Sequence, residues 1–120
     1  MTTDTQLQDH CNHIAQLIAN EDWTNGMTAD DFDSADEYEE QNNALNWIAD
    51  ALDIEWVVSS NRKELLGARI LVAYGGPNIW VDTRTGRVEG HWWGESAVAA
   101  YPQNNGAAEL DDACEMLFAC

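Results

Sequence analysis

Seven carboxylates fall between residues 30 and 40: Asp30, Asp31, Asp33, Asp36, Glu37, Glu39 and Glu40. Asp50, Asp53 and Glu55 extend the run. Carboxylates at this density attract cations, either metal ions or the ammonium and guanidinium groups of another protein. The surrounding composition favours the second. Residues 1–61 hold fourteen Asp and Glu with no Lys or Arg, so that half stands at −14; residues 62–120 hold eight acids and all five basic residues. No Lys or Arg within the first half relieves its self-repulsion, which works against the compact state. An exposed helix that serves only solubility mixes signs and gains roughly 0.2–0.5 kcal/mol per i,i+4 pair. Here Asp36 and Glu40 occupy that spacing with the same sign. The pattern predicts a surface that imitates nucleic-acid phosphates. Carboxylates one helical turn apart lie about 6 Å apart along the axis, whereas duplex DNA carries one charge per about 1.7 Å. The imitation is therefore of what fills a phosphate-binding groove, not of the duplex repeat.

Trp47 lies between Glu40 and Asp50 and opposite the apolar stripe of its helix. A Trp among carboxylates anchors an Arg-rich partner through cation–π contact and buried area; the alternative is that helix one or the loop around Trp23 covers it. Asp50 joins the expected partner-binding set. Trp80, His91, Trp92 and Trp93 sit in one hairpin. Strand aromatics mostly pack, and an exposed subset would form a second contact or a homodimer surface.

Metal and catalytic signals are weak by comparison. His10, Cys11 and His13 with Cys114 or Cys120 match no zinc spacing, and His10 falls at the edge of an apolar stripe, which predicts packing. Asp31-x-Asp33-x-x-Asp36 lacks the Gly and Glu of a calcium loop. No phosphate-binding Gly-rich loop and no nucleophile elbow occurs. The chain reads as no enzyme and as needing no cofactor.

The elements that must position these groups follow from hydropathy. Leu7, Cys11, Ile14, Leu17 and Ile18 predict a helix over residues 4–20. Trp23, Met27 and Phe32 would tack the following loop, with its Asn25-Gly26 turn, onto the core. Tyr38, Leu45, Ile48, Ala49 and Leu52 share an arc that predicts a second helix from Ser34 to Leu52, capped by Asp33 or Ser34. Strands are expected at 54–60, 65–74, 78–82 and 87–93, the last two joined through Thr83-Arg84-Thr85-Gly86. Residues 96–101 fit a short strand or a buried loop. Leu110, Ala113, Cys114, Leu117 and Phe118 predict a last helix over 107–118. The expected fold is α+β: a four-stranded antiparallel meander with two N-terminal helices and one short C-terminal helix. Residues 1–53 form an acidic helical half, 54–94 the meander, and 95–120 a loop and helix, within one domain.

Length, 45% hydrophobic residues and six Trp support a real core despite the net charge of −17. Three Cys at irregular spacing predict thiols, with Cys11 and Cys114 packed. No apolar stretch is long enough to span a membrane, and Met1-Thr2-Thr3-Asp4 offers no secretion signal, so a cytoplasmic location is expected. The charge repels nucleic acid and anionic membranes and draws the chain to basic surfaces, most of which bind DNA or RNA.

In size, in its basic-free half from Met1 to Asn61 and in the Asp30–Glu40 run, the chain resembles phage-encoded DNA-mimic inhibitors of bacterial defence, the anti-CRISPR and antirestriction proteins. The likeness is one of class and transfers no residue roles. It implies a target with a basic nucleic-acid channel, a CRISPR effector first and a restriction enzyme or nuclease second, met in the host bacterial cytoplasm. An immunity or antitoxin protein capping a basic nuclease has the same physics. A halophilic domain, charged only for solvation, would spread its acids over both halves, which this chain does not.

Overall fold

A computed structural model describes residues 3–25, 27–61 and 63–119. Helix α1 runs over Thr3–Ala19. Leu7, Cys11, Leu17 and Ile18 are buried along it, joined by Ala15, and Ile14 is half-buried. A 3-10 turn follows at Ala29–Asp31, then α2 at Ala35–Gln41 and α3 at Ala44–Ala49. The single helix expected over Ser34–Leu52 is thus two, which corrects the count of two N-terminal helices. Asn42 and Asn43 make the break. Asn43 adopts extended backbone, and its Oδ1 accepts the Asn46 N–H at 2.8 Å. An Asn side chain competes with the helix for backbone hydrogen bonds, so it ends one helix and caps the next. The new phase changes what is inside. Ile48 stays buried with Ala44, while Ala49 and Leu52, expected in the core, are exposed.

Five strands come next: β1 Asp53–Val58, β2 Leu65–Ala73, β3 Asn78–Asp82, β4 Arg87–Trp92 and β5 Glu95–Ala100. They pair antiparallel in chain order. β5 corrects the expected four-stranded sheet; it pairs with β4 from Arg87↔Ala100 to Trp92↔Glu95. Its sequence, Glu-Ser-Ala-Val-Ala-Ala, has little intrinsic strand preference. Burial decides the matter: Ala97 and Ala99 face the core, and Ser96, Val98 and Ala100 face outward. Small residues are needed there because α1 packs closely on β4 and β5. A Cβ at Gly90, the partner of Ala97, would fall 2.7 Å from the Cys11 Sγ and 2.8 Å from a Leu7 methyl.

Across the sheet, Ile54, Ile70, Val81, Val88 and Ala99 form one row on the buried face. Glu55, Arg69, Asp82 and Arg87 form the neighbouring row on the open face, with alternating signs. Arg69 reaches Glu55 at 3.2 Å and Glu89 at 3.6 Å, and its guanidinium lies 4.7 Å from the centre of the Trp80 ring. Tyr74, expected as the last residue of this strand, lies past its end and is 72% exposed.

Helix α4, Asn105–Ala119, closes the domain against α3, α1 and β2. It buries Leu110, Ala113 and Cys114, and Phe118 meets Trp56 edge-on at 5.4 Å. Its start meets the end of α1: Asn104 Nδ2 donates to the Ala19 carbonyl at 3.0 Å, and Asn104 Oδ1 accepts the Gly106 N–H at 3.0 Å. The helices lie on the face of the sheet that carries the core, which makes the fold α+β. Among the described residues no helix is long and apolar enough to cross a membrane.

Candidate protein-binding surface

The acidic run is built outside the core. No residue of the 3-10 turn or of α2 is buried. Asp30, Asp31, Asp33, Asp36, Glu39 and Glu40 are exposed, as is Asp50 after α3; Glu37 is half-buried. Helix α2 packs chiefly on the 3-10 turn. There the Phe32 and Tyr38 rings meet at 5.6 Å and give the segment its own small apolar contact. The carboxylates from Asp30 to Glu40 therefore share one compact arm.

Two of them serve the backbone. Asp31 Oδ2 accepts the Thr28 N–H at 2.8 Å, and Glu37 Oε2 accepts the Asp33 N–H at 3.3 Å, while Ser34 caps α2 by accepting the Glu37 N–H at 3.1 Å. The side chains of Asp30, Asp33, Asp36, Glu39, Glu40 and Asp50 take no hydrogen bond or ion pair from any described residue. Glu39 and Glu40 occupy the last turn of α2, where there is no basic residue. The helix dipole is negative at that end, so local energetics disfavour acids there. Nothing in the fold needs these charges.

The corner between α2 and α3 holds the arm in place. Asn42 Oδ1 accepts the Trp23 N–H at 2.8 Å, and Asn42 Nδ2 donates to the Tyr38 hydroxyl at 3.4 Å. Asn43 Nδ2 donates to the Glu40 carbonyl. From the body, Glu109 Oε2 accepts the Ala44 N–H at 2.8 Å.

Trp47 is half-buried, and its ring lies 5.4 Å from that of Trp23 at an angle of 49°. The Trp23 loop thus covers part of it. Trp23 is 4% exposed, and its indole N–H has no acceptor among the described residues. Between loop and helices lies a cavity of about 280 Å³, walled by Trp23, Phe32, Trp47 and Met27 and bordered by Asn46 and Asp50. The structure brings Trp47 and Asp50 together at this cavity. Phe32, Met27 and Trp23 had been expected only to fix the loop; their role as walls follows from the Asn42–Asn43 break, which turns α3 toward them.

The hairpin aromatics divide. Trp80 lies against Arg69, Trp92 is half-buried, and His91 is exposed. Trp93 is 85% exposed and sits at φ +53 beside Gly94 at φ +79. Positive φ at both residues suits a two-residue hairpin turn, but it strains a Trp. Replacing Trp93 with Asn, which tolerates that backbone, is expected to raise stability by roughly 1 kcal/mol. Thermal melting of Trp93→Asn checks this, and a lowered midpoint would mean that the indole is packed in solution.

Another cleft is lined by Arg84, Asp111, Cys114 and Glu115. Burial, then the nearby Asp111 carboxylate, pushes the Cys114 thiol up to about 12. Burial followed by Asp112 and Glu115 raises Asp111, though that carboxyl remains accessible. A thiol this firmly protonated is no nucleophile at neutral pH. Cys11 is likewise raised by burial, and both cysteines are free and buried. His10, expected to pack, is exposed, and His13 Nε2 pairs with Asn25 Oδ1 at 2.9 Å. Among the described residues no three His, Cys, Asp or Glu side chains converge to hold a metal ion; Cys120 and Gly26 lie outside them.

Comparison with protein-family models, with curated proteins and with solved structures gives no match.

Proposed function

We propose that this protein is a nucleic-acid-mimicking inhibitor of the anti-CRISPR or antirestriction kind. Its acidic arm enters the basic nucleic-acid channel of a partner, a CRISPR effector first and a restriction enzyme or nuclease second. One observation carries the reading: Asp30, Asp33, Asp36, Glu39 and Glu40 are exposed and without a partner among the described residues, in a half-chain that has no Lys or Arg. Carboxylates that neither cap nor pair within the fold are available to an outside cation. The inhibitor acts by occupancy, without turnover. Phosphate-binding Lys and Arg of the partner pair with carboxylates in place of nucleic acid. Long-range attraction makes encounter fast and strongly salt-dependent.

The test is competition on purified targets. A labelled DNA duplex is bound to a CRISPR effector or a restriction endonuclease, and the acidic protein is titrated in. Stoichiometric release of the duplex is expected, weakening steeply as salt rises. A ternary complex with DNA still bound, or capture of the protein on a partner surface without basic residues, would remove the proposal.

A further inference from the structure

The cavity beside Trp47 has an unusual combination of wall and rim. Its walls are aromatic faces and a thioether: Trp23, Phe32, Trp47 and Met27. Its polar rim is Thr24, Gln41, Asn46 and Asp50, and apart from the Gln41 amide it presents acceptors. Asn46 donates its Nδ2 hydrogens to the Glu40 carbonyl at 3.1 Å and to Gln41 Oε1 at 3.4 Å, so its Oδ1 is left to accept. The Thr24 hydroxyl hydrogen lies within reach of Asp22 Oδ1 and the Met27 carbonyl, both at 3.3 Å, and is therefore committed. Asp50 adds an exposed carboxylate with no partner among the described residues. No Lys or Arg occurs within the first 61 residues, the half of the chain to which every lining residue belongs.

Negative ring faces beside an unpaired carboxylate favour a planar cation rich in donors. A guanidinium has five N–H donors, stacks on aromatic planes and pairs with a carboxylate in two-point fashion. Lysine's ammonium is more strongly hydrated and has no plane to stack, so it gains less from these walls. About 280 Å³ admits one such side chain, not a folded segment. We infer that this cavity is a receptor for a single arginine side chain of the partner protein, stacked on the half-buried Trp47, whose ring Trp23 backs at 5.4 Å, and bound by Asp50. The inference deepens the inhibitor reading and rests on it for the partner's identity. The arm supplies attraction over distance, and the cavity fixes register on one residue.

The test needs no partner. Indole N–H resonances of ¹⁵N-labelled protein are followed while N-acetyl-arginine amide or N-acetyl-lysine amide is added, with Trp47→Phe used for assignment. The Trp23 and Trp47 signals are expected to shift with the arginine probe, with affinity at least about fivefold above that for the lysine probe. Asp50→Asn, at an exposed helix end, is expected to weaken the arginine probe by about tenfold or more while the rest of the spectrum stays folded. Equal response to both probes, or movement of residues 30–40 without the two indoles, would overturn the assignment. Trp47→Leu then serves as a check only if its spectrum remains dispersed. Failure of the inhibitor reading looks different: DNA is not displaced from any basic target, yet the indoles still answer to arginine.

Discussion

Gly106→Ala is expected to destabilise the protein by about 3 kcal/mol, although alanine is the better helix former. Helix propensity alone predicts the opposite sign, a gain below the roughly 1 kcal/mol of a helix interior because Gly106 lies in the first turn of α4. The two effects are decided by distance. A Cβ at position 106 would sit 1.9 Å from the Ile18 carbonyl oxygen and 3.0 Å from its carbonyl carbon. These are backbone atoms near the end of α1, which no rotamer change can move. Relief requires α4 to back away from α1. That movement pulls on the Asn104 bridge to Ala19 and loosens Leu110 and Ala113 from the core. Urea unfolding of Gly106→Ala beside Gly76→Ala separates the causes. Nothing lies within 4 Å of a Cβ at Gly76, so that variant is expected to stay within about 0.5 kcal/mol of the parent. If Gly106→Ala matches or exceeds the parent, the close crossing of α1 and α4 is wrong.

The second large effect is on binding. Converting Asp30, Asp33 and Asp36 to Asn and Glu39 and Glu40 to Gln together is expected to weaken the proposed inhibition about 60-fold, from five exposed charge contacts at roughly 0.5 kcal/mol each. The same variant is expected to melt higher than the parent in low salt, by about 1 kcal/mol, because like charges one turn apart no longer repel. Asp31 and Glu37 are left intact because they accept backbone N–H groups. Both differences are expected to shrink at high salt, where screening already removes the forces involved. The opposed signs are what matter. A variant that loses both affinity and stability would show that the charges are structural, and one that keeps full affinity would mean the arm does not touch the target.

Local signals carried much of this architecture. The β3–β4 hairpin is legible to within one residue, since β4 ends at Trp92 and Trp93 passes into the next turn. Asn78–Asp82 alternates, and Thr83-Arg84-Thr85-Gly86 is a turn in which Asp82 Oδ1 accepts the Arg84 N–H at 2.9 Å and Gly86 takes φ +68. Helices α1 and α4 are legible to within two residues at each end, since each buries a single stripe. What escaped depends on context. β5 is Ala-rich and becomes a strand only because α1 demands small residues beneath it. The α2–α3 break was written in two adjacent Asn, a signal outweighed by apolar spacing that runs through it. Counting 100° per residue from Tyr38 across that break placed Trp47 opposite the stripe. Counted from the cap at Asn43 instead, it flanks the buried Ala44 and Ile48 and reaches Trp23. The acidic arm itself was visible from composition, because charge segregation survives any error in register. The cavity was not, since it needs the loop and both helices at once.

Because Asp30, Asp33, Asp36, Glu39 and Glu40 serve neither the interior nor the backbone of the arm, substitutions at these five positions are judged almost wholly by whatever they meet outside the molecule. Under the proposed inhibition, such positions can follow changes in a target while the scaffold beneath them stands still. Homologous chains would then diverge fastest in the arm and slowest where α1 crosses Gly90.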